Sequence, residues 1–286
     1  MTKQDHWMHL HARPLDLARW EYFLGNGSKT AVLQALAFYQ NEDGGFGHAL
    51  EPDNWNPNSS PIQTWKATTI LREIDCFDPD LPLIKKMLDY LFRERPDGTW
   101  KTLIPSNNLH PHAVWWHYEN EENATWGYNP TAALLGYLYR LGGDDGGAID
   151  NALDYFLLEA EPNMHELPLF IDLYQDLRTG GWSSDDLERL KGKIQKDLAR
   201  ILVGDPARWS EYVLRPSTVF TVGNREFQAP FAEAIKAEKE FIHDTCQEDG
   251  TWDITWNWSQ YPQEYLIARE WWKADLIIKY SRFLLL

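Results

Sequence analysis

The chain repeats one short motif three times: QNEDGGF at residues 40–46, RPDGTW at 95–100 and QEDGTW at 247–252. In each copy an Asp-Gly pair follows an apolar segment with helical spacing and precedes an aromatic residue. About 54 residues separate the first copy from the second, and about three steps of 51 separate the second from the third. A period of this size is typical of stacked helical hairpins, so the repeat predicts an all-α fold.

The chain length predicts how these hairpins are arranged. The 286 residues accommodate about six hairpins of roughly 48 residues each. An open stack leaves apolar end surfaces, whereas a closed ring buries them. We therefore expect an α/α toroid, a closed barrel of about six helical hairpins in two concentric helix rings. No linker rich in Gly, Ser or Pro divides the sequence, so residues 1–286 are expected to form a single domain.

The motif itself is explained by turn and packing chemistry. Asp bonds its own downstream backbone, and Gly adopts positive φ. The aromatic residue can fill the gap between hairpins, and the preceding Gln can bond a free backbone group at a helix end. We interpret five of these side chains as packing residues: Gln40, Phe46, Trp100, Gln247 and Trp252.

Several helix starts are predicted from capping signals. SPIQ at 60–63 and SSDD at 183–186 are candidate capping boxes, and NP at 129–130 opens a leucine-rich helical segment. Strand signals are few. TVFTV at 218–222 is interpreted as a short strand or an extended loop.

The composition excludes several classes of partner. The net charge of −16 opposes binding to nucleic acid and to anionic membranes. Two cysteines suggest neither a disulfide framework nor a thiolate metal site. Neither a signal peptide nor a membrane-spanning segment is predicted, so we expect a cytoplasmic protein that needs no cofactor or metal. A small-molecule substrate is the partner that fits best; the oligomeric state is left open.

The repeated motif resembles the Gln-x-x-Asp-Gly-x-Trp repeat of terpenoid cyclases, which share an α/α toroid with the β subunits of protein prenyltransferases. The resemblance runs from about residue 30 to residue 258 and implies the fold more strongly than the chemistry. Further stretches are similar to uncharacterised bacterial proteins of that superfamily, namely GGFGHALEPD at 44–53, PHAVWW at 111–116, NPTA at 129–132 and DGTWDITWNW at 249–258.

The chain departs from the catalytic signatures of that superfamily. It has no Asp-x-Asp-Asp tetrapeptide, the element with which class II cyclases protonate their substrates. Asp75-Cys76 is followed by Phe-Asp, so the Asp-Cys-Thr-Ala motif of oxidosqualene cyclases is also absent. No His follows Cys246, so the zinc ligands of the prenyltransferases are not matched either. The resemblance therefore transfers no catalytic residue to this chain.

The loop after the first repeat is the best candidate for catalysis. It holds His48, Glu51 and Asp53 within six residues. Neighbouring carboxylates push their pKa values apart, which suits a general acid and a general base. Capping of the next helix by these acids is the alternative.

A second candidate stretch, residues 107–118, contains three histidines. Its spacing matches no complete metal ligand set, so we predict that His112 assists catalysis and that no metal is bound. Trp115, Trp116 and Tyr118 are predicted to line a substrate pocket.

Alternate tryptophans mark a third stretch. Trp256 and Trp258 would face the same way on an extended loop. They are expected either to flank a ring-shaped ligand, with Trp256 in the substrate site, or to seal the contact between the first and last hairpins.

Three functions are therefore expected. The first is an enzyme acting on a terpenoid- or prenyl-like substrate by acid/base chemistry in a central aromatic cavity. The second is a carbohydrate-active hydrolase or lyase, and the third is a non-catalytic binding scaffold.

Overall fold

The computed structural model describes residues 2–95, 98–143 and 146–286, so Asp97 of the second repeat lies outside the described residues. Within these ranges the regular structure is helical, with isolated β-bridges but no strand, which confirms the all-α prediction. The α-helices are α1 (Lys3–His11), α2 (Pro14–Phe23), α3 (Lys29–Ala37), α4 (Pro61–Glu73), α5 (Pro82–Arg93), α6 (Thr131–Arg140), α7 (Ala148–Asp154), α8 (Leu167–Gly180), α9 (Ser184–Ile201), α10 (Pro216–Val219), α11 (Ala232–Asp244) and α12 (Pro262–Leu284).

The helices pack both with their neighbours in sequence and across the chain. Sequential contacts join α2 to α3, α6 to α7, α8 to α9 and α10 to α11. A second set joins every other helix: α4 contacts α6, α6 contacts α8, and α10 contacts α12. The last helix, α12, also packs against α1 and α2. The two ends of the chain are therefore in direct contact.

A buried arginine strengthens this contact between the ends. The guanidinium of Arg19 in α2 donates to Glu73 of α4 at 2.8 Å and to Asp275 of α12 at 2.9 Å. It also pairs with Asp16, one turn earlier in its own helix. Because Arg19 is only 4% exposed, these charge-assisted bonds satisfy a cation that would otherwise be costly to bury. Three helices far apart in sequence are thus tied together.

The glycines of the repeated motif adopt the same conformation. Gly44, Gly98 and Gly250 have φ of 93°, 84° and 91°, a region that favours glycine. At the first turn the space is also restricted, because a Cβ on Gly44 would lie 2.0 Å from the backbone oxygen of Lys86. A Cβ on Gly250 would likewise lie 3.0 Å from the amide nitrogen of Gln4. The Asp-Gly turns are therefore needed for conformation at all three sites, and for close backbone approach at the first and third.

The aromatic residues of the motif are buried as packing residues. The indole nitrogen of Trp100 donates to the carbonyl of Leu91, and that of Trp252 donates to the carbonyl of Ile242, each at 2.9 Å. Both acceptors lie near the C-terminal end of the preceding helix, where carbonyls lack helical partners. Phe46, the first copy's aromatic residue, is fully buried.

Two local predictions were only partly right: α9 starts directly after Ser183, and Phe220 and Thr221 are extended, but the rest differs. Ser183 precedes α9 but makes no side-chain capping bond; the helix starts at the surface, where water can satisfy its first amides. The segment predicted as a strand or extended loop begins inside the short helix α10, with Pro216 at its first position. A proline there suits a helix start and removes an amide that a strand would need.

Candidate functional site

Four loops contact one another and form a surface that we call the loop face: residues 47–60, 105–118, 205–215 and 253–261. They precede α4, α6, α10 and α12, respectively. The first two are joined by backbone hydrogen bonds, from Ala113 to Asp53 at 2.8 Å and from Trp55 to Pro111 at 2.9 Å. The rings of Tyr212 and Trp256 join the last two, with centroids 5.4 Å apart.

The loop before α4 is held in shape by the first turn of that helix. Ser60 accepts a bond from the amide of Gln63, as expected for a cap. The Gln63 side chain, however, turns to the loop: it accepts from the amide of Leu50 at 2.9 Å and donates to the carbonyl of Asn56 at 2.8 Å. A fully buried glutamine therefore fixes the backbone on both sides of Glu51 and Asp53.

Three indoles surround the carboxylate of Asp53. Its Oδ1 accepts from Trp258 at 2.9 Å and from Trp272 at 2.8 Å. Its Oδ2 accepts from Trp256 at 2.9 Å. Asp53 is 2% exposed, and burial raises its pKa above the ordinary value, although the three indole bonds act in the opposite direction. Because an indole N–H only donates, all three bonds favour the ionised form of this side chain.

Glu51, two residues earlier, has a different environment. Its Oε1 accepts one long bond, 3.4 Å, from the amide of Asp53, and its Oε2 has no hydrogen-bond partner among the described residues. Burial, and after it the nearby charge of Asp53, raises the pKa of Glu51 to about 8. The three indole donors thus favour the anion at Asp53, whereas Glu51, which has no such donors, keeps its proton at neutral pH.

Lys66 and Tyr212 complete the surroundings of this pair. Lys66 favours the ionised form of both carboxyls, but its closest anion is Asp275, at 3.3 Å. Partial burial and the charges of Glu51 and Asp53 raise the pKa of Tyr212 to about 12. Tyr212 is 52% exposed, so it lies between the carboxyl pair and solvent.

The structure does not bring the two candidate histidines to this pair. His48 is exposed, and its Nε2 is 2.8 Å from Oδ1 of Asn41. His112 is buried, with its Nδ1 2.6 Å from the carbonyl of His110 and its Nε2 3.1 Å from a ring nitrogen of His117. Burial lowers the pKa of His112, which favours the neutral ring. Among the described residues, neither ring bonds to Glu51 or Asp53.

The predicted pocket walls lie in different places. Trp256 borders the carboxyl pair through its bond to Asp53. Trp116 is buried and stacks on Trp126, with centroids 5.8 Å apart, while Trp115 packs partly buried against the same cluster. Tyr118 donates its hydroxyl to Glu121 at the surface.

Sequence reasoning missed two residues near the pair, Trp272 and Tyr212, and one further buried acid, Glu166. Burial raises the pKa of Glu166, whose Oε1 accepts from the hydroxyl of Tyr155 at 3.2 Å. The ring of His165, the residue before Glu166, lies 5.6 Å from the ring of Tyr212. Only Trp272 carried a signal, as part of a tryptophan pair in a predicted helix.

Within residues 2–95, 98–143 and 146–286, no three or more His, Cys, Asp or Glu side chains are grouped so that they could hold a metal ion. In the same ranges, no helix combines the length and the apolar character that crossing a bilayer requires. The chain matches no model of a known protein family. It also matches no curated protein.

Proposed function

We propose that the helices close into an α/α toroid of the terpenoid cyclase and protein prenyltransferase type. Support comes from the packing of α12 on α1 and α2 and from the contacts between every other helix. The bonds of Arg19, which join α2 to α4 and α12, also support closure. The bonds from Trp256 and Trp258 to Asp53 would then seal the junction between the first and last hairpins.

We further propose that the protein is an enzyme that protonates a small organic substrate bound at the loop face. Glu51 is the proton donor. The observation that carries this proposal is the asymmetry of the carboxyl pair: Asp53 has three indole donors, whereas Glu51 has one long bond and a pKa raised to about 8. A carboxylic acid that is still protonated near neutral pH is suited to general acid catalysis.

Each neighbour has a defined part in this chemistry. Glu51 transfers its proton to an electron-rich carbon or oxygen of the substrate. The Asp53 carboxylate, fixed by the indoles, stabilises the positive charge that develops on the substrate after protonation. Trp256 and Tyr212 present aromatic surface beside the pair, and aromatic faces also favour cations. A terpenoid- or prenyl-like substrate fits this combination, and the sequence resemblance supports the same class.

The test is a turnover screen with isoprenoid alcohols, isoprenoid hydrocarbons and oligosaccharides, with products detected by mass spectrometry. Glu51→Gln keeps the shape of the acid but cannot donate a carboxylic proton, so it should lower turnover by about 10²–10⁴-fold. Glu42→Gln is the matched control, because Glu42 is exposed in the first repeat turn. Equal turnover in the two variants would contradict the assignment.

A carbohydrate-active enzyme is the second candidate, favoured by one specific feature. His165 contacts the half-exposed ring of Tyr212, and the next residue, Glu166, is a second buried carboxyl. Two acids with an aromatic platform are typical of glycoside chemistry. Stabilisation and turnover with oligosaccharides, and not with isoprenoids, would select this function. Ligand binding with no turnover in the whole screen would select the non-catalytic scaffold.

A further inference from the structure

A cavity of about 440 Å³ lies away from the loop face, between helices of the first and second halves of the chain. It is lined by the C-terminal parts of α4 and α12 together with residues of α2, α8 and α10. Asp53 contacts α12 at Trp272, whereas the cavity residues Lys279 and Arg282 lie seven and ten positions later. At a rise of about 1.5 Å per residue, this spacing corresponds to about 10–15 Å along the helix.

Seven of the sixteen lining residues are charged, and part of that charge is neutralised within the protein. Arg19 is paired with Glu73 and Asp275. Arg72 is paired with Asp176, at 2.6 Å. These groups form closed ion-pair networks and have little residual charge to offer a ligand.

Two cations of the lining are not neutralised in this way. Among the residues that the structure describes, neither Lys279 nor Arg282 makes an ion pair within 4.0 Å or a side-chain hydrogen bond. At longer range, Glu238 and Asp275 raise the pKa of Lys279, whereas Arg215 and Lys66 lower it. Burial, the largest influence, lowers the pKa of Lys279 to about 8. Among the described residues, these two cationic side chains therefore have no ion-pair partner, although the Lys279 ammonium also lies 5.2 Å from the centre of the Tyr280 ring.

The other free group in the lining is an acid. Asp172 of α8 has no described hydrogen-bond partner, and burial raises its pKa to about 6. A carboxylate accepts from hydroxyl or ammonium groups, whereas ammonium and guanidinium groups donate to carboxylate and phosphate oxygens. The lining therefore provides donors for an anion and one acceptor for a polar substituent on it.

We propose that this cavity is a binding site for a small hydrophilic anion, a carboxylate or phosphate compound that also carries a hydroxyl or amino group. Lys279 and Arg282 bind the anionic group, and Asp172 accepts from the donor. The volume lies in the range of small-ligand pockets. The site is separate from the carboxyl pair at the loop face and does not depend on its proposed chemistry.

Isothermal titration calorimetry with inorganic phosphate and, separately, with succinate tests the site in the full-length protein. Sodium chloride at equal ionic strength controls for screening. We expect one anion to bind per chain in at least one of the two titrations. The anion that binds, phosphate or succinate, identifies phosphate or carboxylate compounds as the ligand class. Lys279→Gln should weaken binding by about tenfold or more, because it removes a charge-assisted bond. Lys196→Gln, at an exposed position of α9, is the matched control and should bind as the unmodified chain does.

Two further variants keep the proposal testable if Lys279→Gln fails to fold. Arg282→Gln, near the end of α12, should weaken the same binding, whereas Asp172→Asn should strengthen it by removing a like charge. The bound anion should also raise the melting temperature of the unmodified chain more than that of Lys279→Gln. No binding of either anion up to about 10 mM, or equal affinities in Lys279→Gln and Lys196→Gln, would overturn the proposal.

Discussion

At the residue scale, two carboxyls separated by one proline differ because of the side chains around them. Asp53 receives three indole donors, and Glu51 receives one weak amide contact. An acid with strong donors to its anion stays ionised, while a buried acid without them keeps its proton. Backbone position alone would give Glu51 and Asp53 similar chemistry.

The raised pKa of Glu51 predicts how stability depends on pH. The folded chain binds a proton on Glu51 up to about pH 8, whereas the unfolded chain releases it near the ordinary pKa of 4.5. Because the folded state holds more protons in this window, the free energy of unfolding falls as pH rises from 4.5 to 8, by at most about 1.4 kcal/mol per pH unit. Glu51→Gln has no proton to lose, so its stability relative to the unmodified chain should increase over the same window.

Urea denaturation at about pH 5.5 and about pH 7.5 measures this difference. Glu42→Gln, at an exposed position, reports any general effect of removing a negative charge. The difference in the free energy of unfolding between Glu51→Gln and the unmodified chain could be the same at both pH values. In that case Glu51 ionises normally and is not held in its protonated form.

The sequence indicated the loop that holds the carboxyl pair but not the states of its residues. Glu51 and Asp53 were identified because two acids follow a repeat turn. The donors that separate them lie on Trp256, Trp258 and Trp272, about two hundred residues later, and local pattern carries no information on such pairing. His48 lies in the same loop, yet its φ of 60° accompanies a side chain directed to Asn41.

At the element scale, the repeated turns show what a short motif can and cannot predict. The motif predicted positive φ at its glycines and buried aromatic residues, and both are present. These features follow from local chemistry: Gly is needed for the backbone, and an indole reaches a free carbonyl of the helix before it. The start of α9 after Ser183 was predicted correctly, but the side-chain capping bond was not: Ser183 is exposed, so nothing in the fold requires it.

Alanine substitutions at two of these glycines separate conformation from crowding. Gly98→Ala meets no atom within 4 Å, so it should cost only the left-handed backbone penalty of about 1–2 kcal/mol. Gly44→Ala has the same penalty and also places a Cβ against the carbonyl of Lys86. It should therefore destabilise the protein by clearly more, on the order of 3 kcal/mol.

Chemical denaturation of the two variants gives the comparison directly, since each is the other's control for loss of glycine. Gly142→Ala, which also has positive φ and open space, extends the series with a glycine outside the motif. Equal losses for Gly44→Ala and Gly98→Ala would show that the first turn can move away from Lys86 without cost.

At the scale of the whole molecule, the fold depends on contacts between the first quarter of the chain and the last. Arg19 ties α2 to α12, and Asp53 ties the loop before α4 to the segment that leads into α12. Contacts between residues so far apart in sequence close large loops of the chain. The entropy cost of closing these loops means that such contacts form late in folding. The repeat period predicted that the ends would meet, but not which side chains would join them.

The acceptor at Asp53 can be weakened without a change of shape. Asp53→Asn retains one carbonyl oxygen but replaces the other acceptor with an amide NH₂, which faces an indole N–H. One or two indoles then lose their partner in a buried site, at a cost of about 2–4 kcal/mol. Hydrogen exchange should become faster at both ends of the contact, in residues 47–60 and in 253–272, because each segment holds the other in place.

Exchange in α9, which has no part in this contact, should not change. Asp185→Asn, at the exposed start of α9, controls for the loss of a carboxylate. Faster exchange in residues 47–60 alone would mean that the C-terminal segment is held by α12 packing and that the indole bonds to Asp53 do not join the two ends of the chain.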